Sequence, residues 1–306
     1  MNDTERFKNL QTTIKLNPKN FQARRELIML CLDLGFEEAA LHQIKYLIKI
    51  FPDDANLYYN MGICYEMLKD TDNALAAYQK AVDIKPDEPD FLYNLALIYE
   101  SKGKIDEAME SLKKVIYFKE EDANAFFSIG LLYSQKNEPE TAIKCYKKAI
   151  EYNYSDYFAH FYLAGEYKKV KEYDFALSEY RKVLELSADY SWAYFNIAQI
   201  YWELDRVDDA VIMLKKTIEK NPKDTEAIKL LAQIYIKQTK TNDAMMLLTS
   251  AMQLNENGDI YYLAAKTFEL EGEAEEYKNC LELALNHIES LTYNHRTVKA
   301  ELKKIK

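Results

Sequence analysis

The chain has 306 residues, with 50 acidic side chains against 40 basic ones and a formal net charge of −10, which works against a sequence-independent hold on nucleic acid. Only 7 glycines and 6 prolines occur, leaving no room for flexible linkers or long loops. The four cysteines, Cys31, Cys64, Cys145 and Cys280, fall in separate helical patterns, so neither a disulfide framework nor a metal-ligand spacing is expected, and a reducing cytoplasm is the expected setting.

The opening MNDTERFKNL lacks a basic-then-apolar signal segment, and no stretch approaches the roughly 20 apolar residues that span a bilayer, so no membrane partner is expected. Residues 4–16 read as a lone second helix, with Leu10, Thr13, Leu16 and then Asn17-Pro18 in the places that Ile44, Leu47, Ile50 and Phe51-Pro52 fill later. From there a 34-residue period governs the chain. Tyr65, Tyr99, Tyr133, Tyr167, Tyr201 and Tyr235 keep that interval, preceded by Cys31 and followed by Phe268. Each tyrosine has a small residue three places before it (Gly62, Ala96, Gly130, Ala164, Ala198, Ala232) and an alanine nine places after it (Ala74, Ala108, Ala142, Ala176, Ala210, Ala244).

Within a repeat, Tyr58, Met61, Gly62 and Tyr65 fall on one face of a first helix. The small residue is expected to let the second helix, carrying Ala74, Tyr78 and Ala81, approach closely. Asp54, Asp122, Asp156 and Asp224 mark helix starts, because a carboxylate there accepts from the free amides of the first turn. Pro89 serves the third repeat, sitting where a missing amide costs little. Pro52, Pro86 and Pro222 end second helices. Glu120, Tyr154, Ala188 and Glu256 stand in that place elsewhere, and those turns are expected to be less sharply defined. Tyr277 replaces the alanine of the last repeat, so its helices splay or its ring faces outward. Leu291, His295, Val298, Leu302 and Ile305 form an apolar stripe opposite Arg296, Lys299, Lys303 and Lys304, the pattern of a C-terminal capping helix.

These motifs resemble the tetratricopeptide repeat, a 34-residue helix-turn-helix unit. The second repeat carries the pattern as Tyr58, Met61, Gly62, Tyr65, Ala74, Tyr78, Ala81 and Pro86. The resemblance implies an all-α fold: a right-handed superhelical solenoid of helix-turn-helix repeats. The expected organisation is an N-terminal half-repeat cap over 1–20, eight tandem repeats over 21–287 and an amphipathic cap over 288–306.

In that family the face of the first helix opposite the core lines a concave groove, so the resemblance places an aromatic ladder there. Its members are Tyr59, Tyr93, Phe127, Phe161 and Phe195 at 34-residue steps, extended by Phe158, Tyr162, Trp192 and Trp202. Exposed apolar surface of this extent marks binding, and Trp and Tyr are favoured anchors. The alternative reading is that the ladder cements neighbouring repeats. Asn94 and Asn196, with Asn60, stand where peptide-holding members of the family carry an asparagine ladder, here broken by Ser128, Tyr162 and Leu230. The family's carboxylate clamp for chaperone tails is missing its residues: Arg25 is followed by Met29, Asn60, Asp90 and Asn94. Lys168, Lys169, Lys229 and Lys237 lie on groove-side positions with Glu203 and Glu226 between them.

No phosphate loop, nucleophile elbow or His-Glu-x-x-His occurs, and His42, His160, His287 and His295 are scattered. The expected protein is therefore no enzyme, with no catalytic residues, cofactor or metal. It is read as a scaffold holding an extended or helical segment of a protein partner. The other readings are a homo-oligomeric adaptor associating, at least weakly, through its terminal helices, and a regulatory subunit of an enzyme complex.

Overall fold

The computed structural model describes residues 2–305. They are helical and form no strand, and the chain divides into two compact units, Met1–Tyr154 and Ser155–Lys306. In the first unit α1 (Asp3–Leu16) precedes four helix pairs: α2 (Phe21–Leu34) with α3 (Glu37–Ile48), α4 (Ala55–Met67) with α5 (Thr71–Ile84), α6 (Pro89–Ser101) with α7 (Ile105–Phe118), and α8 (Ala123–Gln135) with α9 (Pro139–Tyr152). The second holds α10 (Tyr157–Lys169) with α11 (Tyr173–Leu186), α12 (Ser191–Glu203) with α13 (Val207–Lys220), α14 (Thr225–Lys237) with α15 (Thr241–Leu254), and α16 (Gly258–Glu271) with α17 (Ala274–Asn286). A 3₁₀ turn (Ile288–Ser290) then leads to α18 (His295–Lys304).

The four aspartates cap as the sequence implies. Asp122 and Asp224 accept from the amides of Ala125 and Ala227 at 2.8 and 3.0 Å, and Asp54 and Asp156 accept from Asn56 and Phe158 at 3.1 and 2.9 Å. Three of the four turns without proline are as well formed as those with it, whereas before Glu256 the chain is more extended, with Asn255 at φ −156° and ψ 123°. Lys119, Asn153 and Ser187, which precede non-proline turns, have φ of −140°, −142° and −144°, against −133° and −136° for Lys85 and Asn221 beside Pro86 and Pro222. Each of these residues returns its amide to the carbonyl four residues earlier, a bond that needs no particular side chain.

Close packing within a pair is specified by the ring of the second helix. A Cβ built on Gly62 would lie 2.5 Å from the Tyr78 ring, and one on Gly130 would lie 2.6 Å from Tyr146. Both tyrosines are fully buried. Small residues therefore make room for a ring as well as for an approaching backbone.

The turn inside each pair depends on a residue in the left-handed region. Gly35, Lys69, Gly103, Asn137, Lys171, Asp205, Thr239 and Gly272 all have φ between 56° and 81°. The next residue's amide closes the helix end, as Asp70 does on the Tyr65 carbonyl and Arg206 on that of Tyr201, both at 2.8 Å. Thr239 is the costly member, because a β-branched side chain is rare in this conformation. Thr239→Gly should stabilise the chain by about 1 kcal/mol, the released strain being partly offset by the flexibility glycine adds to the unfolded chain. Chemical denaturation would measure it, and Gly103→Thr should shift stability the other way.

At the end of the second unit, Val298 of α18 is fully buried in a cluster with Leu281 and Ala284 of α17, and Leu291, Tyr293 and Leu302 pack around it. The helices α16 and α17 do not splay at Tyr277. Its hydroxyl points to α18 and donates to Glu301 at 3.3 Å. Glu301 also accepts from Lys266 at 2.9 Å and from the Tyr262 hydroxyl at 3.4 Å. The segment before α18 is tied by Asp259, only 1% exposed, whose carboxylate accepts from the Thr292 amide at 2.6 Å, the Thr292 hydroxyl at 2.7 Å and Lys229 at 2.7 Å. Burial alone would push this carboxyl up, but the bonds from Lys229 and Thr292 outweigh it and hold it below the usual range.

A carboxyl depressed on folding stabilises the fold above its unfolded value of about 3.9, and that stabilisation is lost as pH falls through the lower folded value. Asp259→Ala should cost about 3 kcal/mol at neutral pH, since it leaves Lys229 with half its partners. Acid should then destabilise the variant less than the parent. Melting curves at pH 7 and pH 3, with trypsin cleavage at Arg296 reporting release of the segment, check both.

Candidate functional site

In the first unit the ladder is largely internal. The Tyr59 ring stacks on Phe91 at 4.7 Å and sits 5.7 Å from Tyr78, and its hydroxyl accepts from Asn94 Nδ2 at 2.8 Å. Burial, with the nearby Asp90 carboxylate, pushes the Tyr59 hydroxyl up. The Tyr93 hydroxyl meets Ser128 Oγ at 3.2 Å, and the Phe127 ring lies 5.7 Å from the buried Tyr146. Each of these aromatics thus joins its first helix to its own second helix or to the next repeat. A cleft of about 450 Å³ remains, lined by Arg25, Met29, Asn56, Tyr59, Asn60 and Asp90. Arg25 is already paired with Asp54 at 2.6 Å.

The asparagines are engaged as well. Asn94 serves Tyr59, and Asn196 donates to the Trp192 carbonyl at 2.9 Å while its Oδ1 accepts from Lys168 Nζ at 3.1 Å. They bind the scaffold to itself, and a continuous row of open amides is not formed.

In the second unit, Phe161 packs on Tyr180 and Tyr190 at 5.6 and 5.2 Å, and Phe195 is only 8% exposed, within the core cluster. Phe195 therefore offers little surface, contrary to its expected place in an open ladder. Three other aromatics of α10 and α12 do present surface: Phe158 at 44%, Tyr162 at 38% and Trp192 at 51%. Trp202 is half-buried, with Lys237 Nζ 5.3 Å from its ring centre. A second cleft, of about 420 Å³, is lined by Phe195, Gln199, Glu226, Lys229, Gln233 and Tyr293. Tyr293 enters it from the C-terminal segment, over the Tyr262 ring at 4.4 Å, and its hydroxyl meets Gln233 Nε2 at 2.6 Å.

Two features of this face are not apparent from repeat spacing. Lys168 Nζ is held by the neutral oxygens of Asn196 and Gln199, and burial pulls its pKa down. Gly165, three residues earlier on the same helix, stands where other repeats carry Ile63, Leu97 and Leu131. A Cβ there would meet only the Tyr180 hydroxyl, at 3.9 Å. The glycine is neither in the left-handed region nor required by packing, although it weakens a helix interior.

Among the described residues no group of three or more His, Cys, Asp or Glu side chains is placed to hold a metal, and no helix is long and apolar enough to cross a membrane. All four cysteines are free thiols. Burial pushes Cys31 up to about 11 and Cys64 up to about 12, leaving both protonated at neutral pH.

Comparison with known proteins agrees with the architecture. Tetratricopeptide repeat profiles match residues 55–88 and 123–153, 89–122, and 169–234. A profile of the anaphase-promoting complex, cyclosome, subunit 3 matches residues 203–287. The chain belongs to the tetratricopeptide repeat family. No curated protein matches it significantly. Among solved structures, MamA is 28% identical over 54% of this chain and 97% of its own, with a TM-score of 0.51. YrrB, described as a TPR protein with an unusual peptide-binding site, is 24% identical over 60% of this chain and 95% of its own, with a TM-score of 0.53. The C-terminal part of a TPR repeat-containing protein from Cytophaga hutchinsonii is 19% identical over 75% of this chain and 95% of its own, at a TM-score of 0.66. The last two share the fold.

Because its Cβ would meet only the Tyr180 hydroxyl, at ordinary contact distance, Gly165→Ala should stabilise the free chain by about 0.5–1 kcal/mol through helix propensity. Gly62→Ala, whose Cβ would strike the Tyr78 ring, should destabilise it by about 1–3 kcal/mol. Parallel denaturation of the two variants checks the contrast.

Proposed function

We propose that the chain is a non-catalytic interaction scaffold that holds an extended or helical segment of a partner protein on its first-helix face. The observation carrying this reading is the exposed aromatic surface of Phe158, Tyr162 and Trp192 in the second unit. Large apolar side chains turned to water along one face mark an interface, and aromatics anchor interfaces at small entropic cost. The ladder divides by role: Tyr59, Tyr93, Phe127, Phe161 and Phe195 build the wall, whereas Phe158, Tyr162 and Trp192, with Trp202 beside them, form the contact surface. Free cysteines fit a reducing compartment such as the cytoplasm.

The helices α1 and α18 act as caps in this reading, and one residue argues against head-to-tail association through them. Counting by the 34-residue period, Arg6 occupies on α1 the place held by Ala40 and Ala74 on later second helices. A large cation at this closest-approach point would block a further helix from packing there. A regulatory-subunit role differs from the scaffold reading only in the partner's identity.

The double change Phe158→Ala and Trp192→Ala should leave the melting temperature near that of the parent and weaken partner binding by about 2 kcal/mol or more. Phe127→Ala with Phe161→Ala should cost about 3 kcal/mol of stability, because those rings lie on Tyr146 and Tyr180. Calorimetric melting, beside affinity for peptides selected on the parent protein, separates the two roles. Loss of stability in the first variant with binding retained would overturn the reading.

A further inference from the structure

We infer that the face formed by α10 and α12 recognises an aspartate or glutamate side chain within an extended partner segment, received by Lys168 and Gln199 beside the notch at Gly165. This rests on the scaffold reading and names the chemistry of its ligand.

Charge bookkeeping among the lysines is the first support. Lys229 is bonded to both Glu226 and Asp259, Lys266 to Glu269 and Glu301, and Lys169 to Glu166. Lys168 has no carboxylate bonded to it among the described residues. Its ammonium donates to Asn196 Oδ1 and Gln199 Oε1. The nearby Glu203 is taken up by the Tyr173 hydroxyl at 2.6 Å. An ammonium has three N–H donors, so one remains. A half-buried cation held by neutral oxygens gains from an arriving anion more than an exposed one would, because less water competes for it. Burial pulls the Lys168 pKa down, and the Glu203 carboxylate offsets this only in part.

Gln199 completes the receptor. Its Oε1 faces Lys168, and its Nε2 makes no hydrogen bond among the described residues, so one N–H of the lysine and one of the amide are available to the two oxygens of a single carboxylate.

Gly165 is the second, independent support. Without a side chain, and with only the Tyr180 hydroxyl 3.9 Å from where its Cβ would be, it opens a notch on the helix face immediately before Lys168. Glycine kept in a helix at a propensity cost and without a packing reason permits close approach of another backbone.

The aromatics fix the placement. Phe158, Tyr162 and Trp192 stand toward the N-terminal ends of α10 and α12, while Trp202 with Lys237 stands beyond Gln199. Apolar surface lies on both sides of Lys168. A segment can therefore continue in both directions, which suits an internal side chain rather than a chain terminus.

The test uses the full chain as target for a phage-displayed library of random dodecapeptides. Selected peptides are synthesised with amidated C-termini and titrated by tryptophan emission, since the only two tryptophans, Trp192 and Trp202, lie on these helices. The selected peptides should share an Asp or Glu flanked by apolar residues, and its replacement by Asn or Gln should weaken binding about tenfold or more. Lys168→Met should impose the same loss on the acidic peptides and leave the amide versions unchanged. Gln199→Glu, which would set a carboxylate against Lys168, should also impose it, and Gly165→Ala should weaken binding while raising the melting temperature. The Lys168 and Gln199 variants are compared by thermal melting, and either one alone suffices for the comparison.

Acidic peptides indifferent to both variants would overturn the inference. Acid-free peptides whose emission change is lost in Phe158→Ala would overturn it while leaving the scaffold reading standing. Failure to select any peptide would sink both.

Discussion

The contact on which this architecture depends is that between a first helix and the side chain its own second helix lays against it. At Gly62 and Gly130 a tyrosine ring occupies the space a Cβ would fill, and at Ala164 and Ala198 the fully buried Tyr180 and Leu214 play the corresponding part. Once that distance is set, the rotation of the first helix is set with it. Residues three and four apart on its other side must then form a second face. The aromatic surface is thus a consequence of the core: Phe161 is held by Tyr180 from behind, and Phe158 and Tyr162 emerge beside it.

Backbone conformation supplies the second constraint, and it is met with unequal ease. Every turn inside a pair needs one residue in the left-handed region and one amide returned to the carbonyl of the period-marking residue, such as Tyr65 or Tyr201. Glycine fills the place at Gly35, Gly103 and Gly272, but lysine, asparagine, aspartate and threonine fill it elsewhere. The repeated side-chain packing is strong enough to hold these residues in a conformation they disfavour. Turns between pairs make the complementary point, since Lys119 and Lys85 adopt nearly the same geometry without and with a following proline.

Electrostatics distinguishes the parts that are closed from the part that is open. Asp259 is bonded to Thr292 and Lys229, and Glu301 to Lys266, Tyr262 and Tyr277, so the C-terminal segment and α18 are tied down by paired charges. Lys168 is hydrogen-bonded only to amide oxygens. A fold that pairs Lys169, Lys229 and Lys266 with carboxylates yet leaves Lys168 to neutral partners separates structural from available charge within one face.

The 34-residue period, the small residue before each tyrosine and the aspartate before four of the first helices determined the fold class, the helix pairing and the repeat phase without any structure, because these are local or strictly periodic requirements. The aromatic ladder could also be located in the sequence, but its role could not. Tyr59 and Phe195 occupy equivalent places in the period as Phe161 does, and whether a ring is covered depends on neighbours one repeat away, such as Phe91 for Tyr59 and Tyr190 for Phe161. Tyr277 left two outcomes open until Glu301, 24 residues later, was seen to accept its hydroxyl. Lys168 looked like one of several groove-side lysines among acids. Only the tertiary structure decided which lysines those acids bind, because pairing is settled by distance and competing donors, and neither is written in the spacing of residues along the chain.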